Sequence, residues 1–271
     1  MERPTFLLQD NILVFRWEQK TIREQTAVDD GVIDIFFKWI ARYQEALEKG
    51  NPKERLLSLG REMFDWLNEN LGKRMEKLVK EGDCPLLIEF RIDHNPSDRE
   101  LAFFEVPWEL LADENDFLAA QMAQYCPLRR SGAPGQTLDP SEYRLSLVFM
   151  AAAPENSVEL NYEDEEASIL AAAGQEKNLD LTVEESGHLN FLAECVSRET
   201  PDVLHISCHG HNEPDPVLQF ETLEGDADAV DSMRFYTKMG NQKPPLLFIS
   251  ACKTSQPNRL LTSFSTDLLQ R

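Results

Sequence analysis

VLHISCHGH at residues 203–211 and PPLLFISACKT at residues 244–254 decide how this chain is read. Each segment is a short apolar run that ends in a reactive side chain. Val203 to Cys208 delivers His209, and Leu246 to Ala251 delivers Cys252. Apolar runs of this length, bounded by Pro or Gly, read as buried strands of a parallel sheet. In open α/β sheets ligands gather at the carboxyl ends of the strands. A His and a Cys at two such ends are placed to meet over one edge, in the pattern of a cysteine nucleophile with a histidine base.

The chemistry accounts for these residue types. A free thiol has a pKa of about 8.5 and is only a small fraction thiolate at neutral pH. A neighbouring imidazole takes its proton as attack begins and returns it to the leaving amine. Gly210 has no side chain to obstruct its backbone N–H, so that N–H and the N–H of Cys252 can together hold the oxyanion of a tetrahedral intermediate. The residues alone leave a plainer alternative open. A Cys after an apolar strand is commonly a small buried hydrophobe, and a lone His at a strand end is commonly structural.

The strings HISCHG and FISACKT resemble the two signature segments of the CHAT-domain family, bacterial relatives of caspases and separases. VPWELL at residues 106–111 and CPLRR at residues 126–130 are similar to the usual lead-in to such a domain, so the likeness runs from about Leu56 to the C-terminus. The resemblance implies that His209 is the base, Cys252 the nucleophile and Gly210 an oxyanion donor. It implies a caspase-like (clan CD) three-layer sandwich with a mainly parallel sheet, acting on a protein substrate and switched on by a regulatory domain or subunit. Some basic-selective relatives carry Asp two residues before the nucleophile. This chain has Ser250 there, which disfavours Arg/Lys selectivity.

The remainder of the sequence bounds these expectations. A length of 271 residues suffices for one large or two modest domains. With 42% hydrophobic and 28% charged residues the composition is that of a soluble protein. No apolar run reaches the length of a membrane span, and MERPTFLLQDN lacks a signal-peptide profile, so a cytoplasmic location is expected and no membrane partner. Five irregularly spaced cysteines fit reduced thiols. A net charge of −21 argues against nucleic acid as a partner and reads as a solubilising surface.

In chain order, residues 5–17 read as one or two strands turning at Asp10-Asn11. Asp29 or Asp30 caps a helix from about Val32 to Lys49, and a second helix follows Pro52, pauses near Gly72 and continues to Gly82. Pro85 to Ile92 is a strand, His94-Asn95-Pro96 a turn, Pro107 to Leu111 a helical turn, and Leu118 to Leu128 contains another strand. SGAPGQTLDPS at residues 131–141 is the densest Gly/Pro/Ser cluster and reads as a linker. This divides the chain into an N-terminal α/β region at 1–130 and a caspase-like catalytic region at 142–271.

Beyond the linker, strands at 145–153, 179–183, 203–208 and 246–250 alternate with helices at 162–173, 189–198 and 231–239, which indicates an α/β fold. Val217 to Thr222 is a small strand or hairpin arm. The acidic runs at 163–166 and 224–228 read as solvated, with the second, between the two signature strings, also able to line the mouth of the cleft. HISCHGH invites a zinc reading, but strand alternation sets His205, Ser207 and His209 on one face and Cys208 on the other, without a second ligand pair. No metal or other cofactor is therefore expected.

After Cys252 only one helix is expected, over Leu260 to Gln270, with a start near Ser255. The two further strands of caspase-like folds have no counterpart, so the catalytic fold reads as truncated. The strand at 246–250 is then expected to be covered by a neighbouring chain or by further sequence, and the chain by itself to be weakly active. The reading is a cysteine endopeptidase using His209 and Cys252. The alternative is a catalytically silent CHAT-like interaction or signalling module.

Overall fold

The computed structural model describes residues 3–49, 52–82, 84–93, 95–121, 124–132, 144–155, 162–174, 176, 178–211, 215–241, 243–251 and 263–271. The chain falls into two compact units, Met1–Gly135 and Gln136–Arg271.

The first unit is a five-stranded mixed sheet in the order β3-β2-β1-β4-β5. β1 (Thr5–Gln9) and β2 (Ile12–Trp17) form a hairpin. Its turn residues Asp10 and Asn11 both take positive φ, 51° and 59°, the conformation of a two-residue hairpin loop matched to strand twist. β3 (Ile22–Ala27) continues the antiparallel run. The sequence reading misses it because IREQTA offers no apolar run. β4 (Leu87–Ile92) and β5 (Cys126–Ser131) add to β1 in parallel. The strand expected within Leu118–Leu128 thus lies later, and Leu118–Ala120 is a 3-10 turn.

Helices α1 (Asp30–Glu48), α2 (Pro52–Asn70), α3 (Arg74–Glu81) and α4 (Asp98–Glu105) complete the unit. Asp29 caps α1 by accepting from the Val32 N–H, and Ser97 with Glu100 forms a capping box on α4. The core is aromatic. Phe36, Trp39, Trp66, Phe90, Phe103 and Trp108 meet ring to ring, with Trp108 stacked on Phe90 at 4.6 Å between centroids. Trp108 opens the 3-10 turn Trp108–Leu110, and its indole N–H donates to the Phe103 carbonyl at 2.9 Å.

Two sequence motifs meet here. Arg129, from CPLRR, donates to the carbonyls of Phe104 and Val106, each at 2.8 Å, and forks onto the Glu109 carboxylate of VPWELL. The bidentate geometry suits a planar guanidinium and not a lysine. Glu109 holds the Arg129 guanidinium above its ordinary pKa against the effect of burial.

The second unit is a mixed six-stranded sheet. β6 (Leu145–Ala151) pairs in parallel with β7 (Leu179–Glu184) on one side and β8 (Val203–His211) on the other, and β11 (Leu246–Ala251) pairs in parallel with β8. The end of β8 leaves this ladder and joins β9 (Val217–Glu221), which with β10 (Ala227–Asp231) forms an antiparallel arm. The sheet of the second unit is therefore mixed: β6, β7, β8 and β11 run parallel, and the β9–β10 arm is antiparallel.

The acidic run at 224–228 leads into that arm. Instead of lying wholly in solvent, it turns at Gly225 (φ 86°) and enters β10, where Val230 is buried. A hairpin with charged outward positions carries little apolar signal for its second strand.

Helix α6 (Leu189–Glu199), α7 (Ser232–Met239) and α8 (Phe264–Leu269) bury Leu192, Val196, Phe235, Met239 and Phe264 against Val148, Met150, Leu204, Ile206 and Cys208. Helix α5 (Tyr162–Ala173) covers the opposite face beside β7. Helix, sheet and helix make three layers, compatible with a caspase-like fold. α8 is capped by Ser263, which accepts from the Thr266 N–H, and the start expected near Ser255 lies outside the described residues. Among the described strands, β11 pairs only with β8, and Leu246 and Phe248 are each more than half exposed.

Candidate active site

The site is built from the register of β8 and β11. Their six paired positions run from Val203↔Leu246 to Cys208↔Ala251. The alternation of β8 divides its side chains. Leu204, Ile206 and Cys208 enter the core with α6 and α7, whereas His205, Ser207 and His209 take the other face.

His209 and Gly210 lie where β8 passes from its parallel to its antiparallel neighbour, opposite Gln219 and Leu218. His209 is half-buried, Gly210 buried and His211 exposed. Cys252 follows Ala251 in sequence and lies outside the described residues, as does His94. The structure thus places the histidine and the glycine of the proposed set at the carboxyl end of β8, and brings the strand that precedes Cys252 alongside in register.

The other thiols differ in environment. Burial pushes Cys208 up to about 12, and also raises Cys195, so both are poor nucleophiles. Cys84 and Cys126 are exposed.

Behind His209, on the same face, is a polar group that sequence reading did not assemble. Glu165 on α5 accepts from Ser207 Oγ at 2.6 Å and sits 3.2 Å from His205 Nε2. His205 is wedged edge-on between the rings of Phe149 and Phe248, at 5.2 and 4.5 Å between centroids. Its Nε2 is buried and makes no well-aligned hydrogen bond, so the approach to Glu165 is electrostatic and undirected. Burial lowers the His205 pKa, and the Glu165 charge offsets only part of that shift. The sequence signal is Glu165 within an acidic run read as solvated, and nothing in the run itself marks Glu165 as a carboxylate that turns inward.

The His205 shift has a consequence for stability. A histidine whose folded pKa is depressed binds fewer protons folded than unfolded, so stability falls as the pH drops below about 6.5 and through the lower folded value. His205→Phe, which keeps an aromatic ring there, is expected to lose less stability between pH 7.5 and pH 5.5 than the wild type. Urea denaturation at the two pH values measures the difference. An equal loss in both proteins removes His205 as its source.

Among the described residues no three His, Cys, Asp or Glu side chains are grouped to hold a metal ion, and no helix is long and apolar enough to cross a membrane. No curated protein matches the chain. A family model for the CHAT domain matches residues 59–271, from within α2 of the first unit through the whole of the second. CHAT domains belong to the caspase-like peptidase clan. Matching most of its length, the chain belongs to the CHAT-domain family.

Proposed function

We propose that the chain is a cysteine endopeptidase acting on a protein substrate. The observation that supports it most is the parallel, in-register pairing of β8 and β11 as far as Cys208 and Ala251, the residues before His209 and Cys252. In this reading the Cys252 sulfur attacks a peptide carbonyl while its proton passes to His209. The oxyanion is held by the N–H groups of Gly210 and Cys252. The C–N bond breaks as His209 protonates the departing amine, leaving a thioester. Water then attacks the thioester with His209 as base, releasing the acid and restoring the thiol. Regulation by another domain or subunit belongs to the same proposal. β11 offers a place for such a contact, with Leu246 and Phe248 exposed along it.

Cys252 is then expected to be the fastest of the five thiols to alkylate in the folded protein near neutral pH. Cys208 and Cys195 should be protected until unfolding, because burial raises both. Competitive labelling read by mass spectrometry checks this. Faster reaction at Cys84 or Cys126 counts against the assignment of Cys252. The same exposed strand favours a second reading, a catalytically silent module that docks partners. A peptidyl electrophile that labels the wild type but not Cys252→Ala separates the two, since a silent module has no activated thiol to label.

A further inference from the structure

Helix α5 is held to the sheet in an unusual way for a helix of its length. Of its residues 164–165 and 167–173, whose side chains are described, none is buried. Among these, Glu165, Ile169 and Ala173, spaced by four, are the half-buried positions, and Leu170 is exposed. An amphipathic helix is ordinarily fixed by an apolar stripe. Here the described stripe includes a carboxylate, and turning a charge inward is unfavourable unless it is bonded.

The bond is the one to Ser207 Oγ at 2.6 Å, a charge-assisted contact of the stronger class, with His205 Nε2 at 3.2 Å. Ser207 is only 4% exposed. Its carbonyl in turn accepts from the Ala152 N–H at 2.9 Å, where the chain leaves β6 on its way to α5. The next residue of β8 on the same face is His209. One residue is thus fixed through its side chain to α5 and through its backbone to the exit of β6, immediately behind the histidine.

We propose that Glu165 is a positioning residue for the active site. Its carboxylate, through Ser207 and beside His205, locks α5 onto the sheet and sets the end of β8 that carries His209. This rests on the reading of His209 as the base, but its physical content is a specific coupling between α5 and β8. Among the α5 residues whose side chains are described, Ile169 and Ala173 are the only half-buried apolar ones and Leu170 is exposed, so the carboxylate is expected to carry much of the docking. Gln at 165 keeps an acceptor for the Ser207 hydroxyl, whereas Ala removes it.

The test uses the full chain with Glu165→Ala, Glu165→Gln and Ser207→Ala, read by backbone hydrogen exchange and by NMR of the histidine rings. Glu165→Ala is expected to raise exchange in α5 and at Ser207 to His209 by about tenfold, a local opening that leaves α7 and the β9–β10 hairpin near wild-type rates. The His209 ring signals should move in Glu165→Ala and in Ser207→Ala, and return toward wild type in Glu165→Gln. Exchange rising equally throughout the second unit overturns the proposal, because Glu165 is then merely structural. Unmoved His209 signals in both removal variants overturn it as well. If Glu165→Ala does not fold, Ser207→Ala against Glu165→Gln decides the same question.

None of these readouts needs turnover, so an inactive wild type sinks the peptidase reading and leaves this one to be judged. Where the wild type does cleave a peptide, Glu165→Ala should lower kcat with little change in KM. Turnover equal to wild type overturns the positioning role.

Discussion

Alanine at Cys252 or at His209 is expected to abolish peptidase activity while leaving the fold nearly intact. Removing one member of a nucleophile–base pair costs about three to six orders of magnitude, and removing both costs little more, since the pair acts as a unit. Stability should change little at His209, because it stands half-buried at the end of β8 and outside the apolar core of the second unit. His205→Ala is the contrasting case. Its ring fills the space between Phe149 and Phe248, so truncation leaves a void and is expected to cost about 2 kcal/mol of stability. Turnover of a peptide library and urea denaturation on the same four proteins measure both effects. Equal activity losses at the two histidines, with folding preserved in each, show that the base is not His209 alone. Activity surviving in Cys252→Ala removes the nucleophile and leaves the silent module.

What the sequence made legible follows the strength of its apolar patterns. The strands carrying the two signature segments are continuous apolar runs, and both appear in the structure as parallel neighbours with the register that a shared edge requires. Helices α1, α6 and α7 were equally plain, because their apolar residues recur at helical spacing and their caps are polar. The elements that escaped are those whose hydrophobic signal is thin. β3 exposes alternate polar side chains, and β10 begins in an acidic turn with Val230 as its buried apolar position. The same limit applies at the site. His205, Ser207 and His209 were expected on one face from alternation alone. That Glu165 reaches Ser207 from forty-odd residues earlier in the chain is tertiary information. Inward and outward glutamates are the same letter, and only the depth of the sheet beneath α5 distinguishes them. The Arg129 fork is similar, since CPLRR and VPWELL each stand out as strings but neither carries a sign of their bond.

That fork bears on the second large effect expected, at Gly60. This glycine lies inside α2 with ordinary helical backbone, so intrinsic propensity alone predicts that Gly60→Ala stabilises by about 1 kcal/mol. The packing predicts the opposite. A Cβ at residue 60 collides with the Leu110 carbonyl oxygen, and lies 3.0 Å from the Leu110 carbonyl carbon and 3.1 Å from Ala112 Cβ. The obstacle is backbone, which cannot rotate away as the tip of a long side chain does. It belongs to the turn after Trp108, where the Ala112 N–H donates to the Gly60 carbonyl at 3.3 Å and Arg129 grips the preceding carbonyls. Relief therefore requires α2 to separate from that turn, opening the ring cluster of Phe36, Trp66 and Trp108 between them. Overpacking of this kind costs about 1–3 kcal/mol, and because the obstacle is backbone the upper part of that range applies, which reverses the propensity gain. The net expectation is a loss of about 1 kcal/mol, rising to about 2 if the backbone cannot shift, with a change in tryptophan fluorescence as the cluster loosens. Ser58→Ala, two residues earlier on the exposed side of α2, is the control and should be neutral or slightly stabilising, by less than about 0.5 kcal/mol. A Gly60→Ala protein more stable than wild type, with unchanged fluorescence, shows that α2 and the VPWELL turn do not meet this closely.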